Sequence, residues 1–200
     1  MRSRKFFLTL AVLLMLLVAT LCTLQFTQFG YLMTVPYRSA FNEVADHIYI
    51  NKNYAGDNQE VLVMIEQAED RVRAFFGGLY YRDETIFIIC DDAKLLRRLG
   101  EDHGTVSVSF PFERHYICMS DEYLELDIVS HEITHVELRA RLSSGAQKMI
   151  PTWFDEGLAL QNDYRERYGE EQWIEQTENG GNTVALDDMD TPEEFYAGEA

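Results

Sequence analysis

The sequence predicts an α+β domain built on a small mixed sheet and preceded by one N-terminal transmembrane helix. Three observations carry that expectation. Phe6 to Leu24 is an apolar stretch without a charge, short β-branched runs alternate with segments of helical periodicity, and Glu122 to Leu142 is a long helical pattern with no Pro or Gly. The chain has 200 residues, 46% hydrophobic and 12% aromatic. Outside the apolar stretch about 170 residues remain, enough for one domain with its own core.

As a helix, Phe6 to Leu24 spans roughly 28 Å, close to the hydrocarbon thickness of a bilayer. Arg2, Arg4 and Lys5 precede it and no basic residue follows until Arg38. The positive-inside bias then puts the N-terminus in the cytoplasm and the rest of the chain outside. A cleaved signal peptide is the competing reading, but the run exceeds the roughly 7 to 15 residues of a signal h-region. Cys22 lacks the small preceding residue of a lipoprotein signal and reads as a membrane-buried thiol. The expected division is 1–30 for the basic start and signal-anchor, 31–40 for a juxtamembrane linker, and 41–200 for the domain.

Within the domain, Ala40 to Ile50 reads as an opening strand. Val61, Ile65, Ala68, Val72 and Phe76 recur at helical spacing, so Asn58 to Phe76 is an amphipathic helix ended by Gly77 and Gly78. Glu84 to Cys90 is a buried strand, Asp91 to Leu99 a short helix stopped by Gly100, and Thr105 to Phe110 a half-buried strand interrupted by Pro111. His115 to Met119 resumes an extended pattern and leads to Ser120 or Asp121 as cap of the Glu122–Leu142 helix. A last helix starts at Trp153, with Thr152 as cap and Asp155 three residues on. Beyond Arg167 the chain turns acidic and Gly/Asn-rich, and its pattern specifies little.

The chemistry lies at His131, Glu132, Ile133, Thr134 and His135, an HExxH motif within the most regular helical pattern of the domain. Helix positions four apart lie about 40° apart around the axis, so both imidazoles can reach one tetrahedral Zn²⁺. Glu132 projects beside the pair, where a carboxylate can serve as general base toward water activated by the metal.

Downstream, Pro151 to Leu160 reads PTWFDEGLAL. Together with HExxH this resembles the gluzincin, or peptidase MA-like, zinc metallopeptidases, in which WxxEGxA brings the third metal ligand. Twenty residues separate His135 from Glu156, similar to the family's gap. The resemblance implies a zincin-like fold with a helical C-terminal portion, zinc held by His131, His135 and Glu156, Glu132 as general base, and peptide or protein substrates. Three protein ligands leave one position open, as catalytic rather than structural zinc requires. Gly157 is expected to let its helix approach the HExxH helix closely, and Ser107 to Met119 to flank the cleft and pair with extended substrate.

The resemblance also implies a donor to the substrate oxyanion. Tyr196, in EEFYAGEA, is similar to the Tyr-bearing segment of such relatives, although this chain ends at Ala200 where they continue; an ordinary packing tyrosine is the alternative, and His103 and His115 are other candidates. Asp155, Asp163 and Ser130 are possible partners of the imidazoles, with Asp155 better explained as a cap and Asp163 as solvated charge. Cys90 and Cys118 are either a disulfide or two core thiols.

The net charge is −17, and from Asp155 to Ala200 fourteen acidic residues face only Arg165 and Arg167. That excludes nucleic acid as an expected partner. A solvated acidic surface is preferred to a site for basic peptides. Two functions remain in view: a membrane-anchored zinc peptidase, and a catalytically idle zinc-binding module of the same fold. Sequence leaves the oligomeric state unknown.

Overall fold

The computed structural model describes residues 2–81, 85–100, 105–109 and 114–197. Helix α1 (Arg2–Phe26) opens the chain, and its segment Lys5–Phe26 is long and apolar enough to cross a membrane, with none of its apolar window buried in the protein. Helix α2 (Gln28–Thr34) follows after one residue. The two helices meet tightly at Gly30, where a Cβ would lie 2.3 Å from the Thr23 carbonyl oxygen.

Part of the expected linker at 31–40 is packed. Tyr31, Leu32 and Val35 are buried in one apolar cluster with Phe41, Tyr49, Ile86 and Ile88, while Met33 and Tyr37 are exposed. Ala40 to Ile50 is likewise not one strand. Strands β1 (Phe41–Ala45) and β2 (Ile48–Asn51) pair antiparallel as a hairpin, because polar Asp46 and His47 interrupt the run and His47 takes a left-handed φ of 61°.

Helix α3 (Asn58–Phe76) has its expected bounds: the Asp57 side chain accepts from Gln59 N at 2.8 Å, and Gly77 ends it at φ 74°. Strand β3 (Thr85–Ile89), helix α4 (Ala93–Leu99), and strands β4 (Thr105–Ser109) and β5 (His115–Met119) complete the sheet. Glu84, Phe110 and Pro111 lie outside the described residues. The strand order is β1-β2-β3-β5-β4, with parallel pairing inside and antiparallel pairs at both ends, which makes the sheet mixed and the fold α+β.

Alternation along the strands builds two cores. Phe87, Ile89, Ile117 and Met119 pack with residues of α3 and of the later helix α5 (Leu126–Ala140), while Ile86, Ile88, Tyr116 and Cys118 pack with α2 and α4. With helices on both faces, the inner strands read as continuous apolar runs. Cys90 and Cys118 share a face but form no disulfide; Ile88 is the register partner of Cys118, and Cys90 lies two residues farther along. Burial pushes the Cys90 thiol up to about 11.

Helix α5 begins at Leu126, not Glu122. Of its expected caps, Ser120 makes no capping bond and Asp121 is engaged elsewhere: its carboxylate accepts from Tyr54 Oη at 2.9 Å, and Asp121 N donates to Asp91 Oδ1 at 3.0 Å. A short turn α6 (Ser144–Gln147) leads to α7 (Thr152–Ala159), where Pro151 rather than Thr152 holds the N-cap position, without a side-chain bond. The returning chain satisfies that end instead, since Thr152 N donates to Asp190 O at 2.8 Å and Trp153 N to Met189 O at 3.2 Å. Helices α8 (Glu170–Gln176) and α9 (Pro192–Tyr196) give the acidic tail region structure, α9 through a capping box of Thr191 and Glu194.

Leu32 is fully buried, so Leu32→Ala is expected to cost about 2–5 kcal/mol of stability in denaturant unfolding. A change below about 0.5 kcal/mol, as at an exposed linker site, would return 31–40 to the role of a tether.

Candidate metal centre

Helix α5 carries its motif on a face fixed from behind. Val129, Ile133 and Val136 are buried in the core shared with α3. The fully buried Glu137 accepts from Tyr80 N at 2.8 Å, Tyr81 N at 3.2 Å and Arg141 Nε at 2.6 Å, tying the helix to the chain that leaves α3. Near its N-terminus, Asp127 pairs with Arg71 and accepts from Tyr164 N at 3.2 Å, a favourable end for an acidic side chain.

On the opposite face the two motif imidazoles converge, with His131 Nε2 and His135 Nε2 3.1 Å apart. Helix α7 brings Glu156 Oε2 to 3.4 Å from His131 Nε2 and 3.7 Å from His135 Nε2. A tetrahedral ion with nitrogen and oxygen ligands at about 2.0–2.1 Å separates those atoms by about 3.4 Å, a value the three distances bracket. These residues can therefore hold a metal ion with one position left open.

The other nitrogen of each ring faces a carboxylate, closely at His135 and without a formed hydrogen bond at His131. Asp155 Oδ1 lies 2.7 Å from His135 Nδ1, and Arg139 Nη2 donates to Asp155 Oδ2 at 2.5 Å. Asp163 Oδ2 lies 3.5 Å from His131 Nδ1, at the outer limit of a hydrogen bond, and Arg165 pairs with the same carboxylate. A carboxylate at Nδ1 places the proton there and turns the Nε2 lone pair inward, so tautomer follows from partner. Two inward lone pairs beside a carboxylate call for a positive charge between them, either protons or a metal ion.

The electrostatics agree with that reading. Burial disfavours charge on His135, but Asp155 and Glu156 outweigh it and raise the imidazole to about 10. Burial likewise opposes charge on His131, whose value the carboxylates of Asp163 and Glu156 still raise. Glu156 is pushed up by burial yet held well below the usual carboxylate range by the two imidazoles and Tyr196. Protons and metal compete for the same lone pairs, so metal binding must release protons.

The triad opens into a cleft of about 610 Å³ whose walls include Thr105 and Ser107 of β4, Tyr168, Phe195 and Tyr196. Glu132 is buried beside the ligands and accepts from Thr105 Oγ1 at 2.9 Å. Tyr196 Oη donates to Glu156 Oε1 at 2.8 Å, so this tyrosine is at the centre rather than in remote packing. Strand β4 is the sheet edge that borders the cleft, whereas β5 is paired on both sides. Among the described residues of Ser107–Met119, those of β4 are the ones on a free sheet edge.

Several expectations are corrected here. Asp155 caps no helix and Asp163 is buried, and both face the imidazoles. Ser130 donates to Leu126 O at 2.6 Å within its own helix. His115 is buried in β5, where burial lowers its value to about 4, and it is not among the described residues that line the cleft. His103 lies outside the described residues. A Cβ on Gly157 would meet nothing within 4 Å, so close helix approach does not account for that glycine.

Sequence reasoning missed Thr105 and the two Arg–Asp pairs. Asp155→Asn and Asp163→Asn are each expected to weaken metal affinity by about 10- to 100-fold in competition with a chromophoric chelator. Unchanged affinity in both variants would leave these carboxylates as partners of Arg139 and Arg165 alone. Compared with family models, curated proteins and solved structures, the chain matches none of them.

Proposed function

We propose that this chain is a membrane-anchored zinc metallopeptidase with a zincin-like fold of the gluzincin type. The observation that carries the reading is an open set of two imidazoles and one carboxylate, with the separate, buried carboxylate of Glu132 beside it. A structural zinc site would fill all four positions, commonly with thiolates. Imidazole and carboxylate donors suit zinc among the first-row ions, and both rings carry the acidic partners usual for zinc-bound histidine.

When bound, zinc polarises a carbonyl oxygen and lowers the pKa of a water molecule in the remaining position. Glu132 accepts the proton of the attacking water and delivers it to the leaving amine, with Thr105 holding one carboxylate oxygen in place. Tyr196 is the oxyanion donor in this reading: its hydroxyl, now on Glu156, lies in the cleft wall and can turn toward a substrate carbonyl as charge develops there. Substrate backbone pairs with the free edge of β4.

The anchor reading rests on α1, and the basic residues ahead of it favour a cytoplasmic N-terminus with the cleft outside. Protease shaving of intact cells should then digest residues beyond α1. Protection until lysis would reverse the orientation, and recovery of a chain lacking α1 would make that helix a cleaved signal.

Glu132→Gln keeps size and packing but cannot accept the proton. Peptide hydrolysis should fall by about 10² to 10⁴ while zinc content and Tm stay near wild type. If neither wild type nor variant cleaves a broad peptide library with zinc bound, the idle binding module is the better description.

A further inference from the structure

The metal cleft has a neighbour beyond Tyr168. A second cavity of about 990 Å³ shares Arg167 and Tyr168 with it as a common wall, and Trp173, Val184, Leu186 and Met189 line the far side. Trp173, Val184 and Leu186 remain 51%, 58% and 51% exposed. They sit on α8 and the turns that follow, outside both apolar clusters of the core. Clustered apolar side chains left open beside a cleft mark a surface that gains by being covered.

The shared wall is cationic. The Arg165 and Arg167 guanidinium carbons lie 5.2 Å and 4.6 Å from the Tyr168 ring centroid. Arg165 is committed to Asp163, whereas among the described residues no ion pair engages Arg167. The acids that line the metal cleft, Glu132 and Glu156, are committed to Thr105 and to the triad. Arg167 is therefore an uncommitted cation at the seam of two cavities, in a chain of net charge −17.

We propose that the two cavities form one extended substrate groove, selective for a peptide with an acidic residue at the Arg167 seam and large apolar side chains in the cavity beyond. This inference deepens the peptidase reading and rests on it for the location of the scissile bond. The acidic carboxylate pairs with Arg167, and Tyr168 keeps that guanidinium stacked at the junction. Trp173, Leu186 and Met189 cover the apolar side chains, and the charge requirement excludes lysine-rich segments that the acidic exterior would otherwise gather.

The test uses the full chain, carrying Glu132→Gln and zinc, in phosphatidylcholine nanodiscs. Fluorescent decapeptides report binding by anisotropy: one with Glu followed by Leu and Phe, one with Lys in place of Glu, and one with Ser in place of Leu and Phe. The acidic-apolar peptide should bind at least about tenfold more tightly than either other peptide. Arg167→Glu should reverse the preference between Glu and Lys, and Trp173→Ala should remove most of the preference over the Ser peptide with zinc content unchanged. Equal binding of the three peptides, or affinities unmoved by both substitutions, would overturn the proposal. Selective binding without cleavage by the wild-type chain would sink the peptidase reading and leave the groove standing, whereas cleavage indifferent to these side chains would do the reverse.

Discussion

Two imidazole nitrogens stand 3.1 Å apart with their lone pairs inward, and a carboxylate oxygen lies within 3.7 Å of both. In water these groups would turn away from one another and be solvated. Here they are held together, and the arrangement is favourable only with positive charge at its centre. Protons can supply it, but a metal ion accepts all three donors at once. The parts of the fold nearest the cluster serve to keep those donors facing one another against their mutual repulsion.

That holding is done from several sides. The buried face of α5 fixes the angular position of the histidines against α3, and Glu137 ties α5 to Tyr80 and Tyr81. Helix α7 delivers Glu156, and its N-terminus is satisfied by the Met189–Asp190 backbone instead of its own cap, which also brings α9 and Tyr196 to the centre. Behind the rings, Arg139 and Arg165 neutralise Asp155 and Asp163, so each carboxylate can be buried while still orienting an imidazole. Each Asp has two duties, and losing either partner leaves a charge short of compensation.

Much of this was legible in the chain. The bounds of α3 and β5 follow from periodicity and punctuation, because Asp57 and Gly77 act locally. That HExxH and the distant Glu156 come together as one cluster able to hold a metal ion was readable, helical spacing pointing to the first pair and the resemblance to the third. What could not be read depends on partners far apart in sequence. Asp121 looks like a cap until Tyr54 occupies it, and residues 31–40 look like a tether until the sheet face they cover is known. Asp155 looks like first-turn charge until His135, twenty residues earlier, proves to be its partner. Composition could not order the acidic stretch after Arg167, where short helices are held by backbone contacts rather than by an apolar face.

On the reading proposed here, His131, His135 and Glu156 share one metal ion through Nε2, Nε2 and a carboxylate oxygen. X-ray absorption spectroscopy on the full chain, purified in detergent and equilibrated with stoichiometric zinc, tests it most directly. One tightly held zinc per chain, with nitrogen and oxygen neighbours at about 2.0–2.1 Å, two imidazole scattering patterns and no sulfur at about 2.3 Å, is the expected result. Zinc that washes out stoichiometrically, or a shell containing sulfur or a single imidazole, would contradict it.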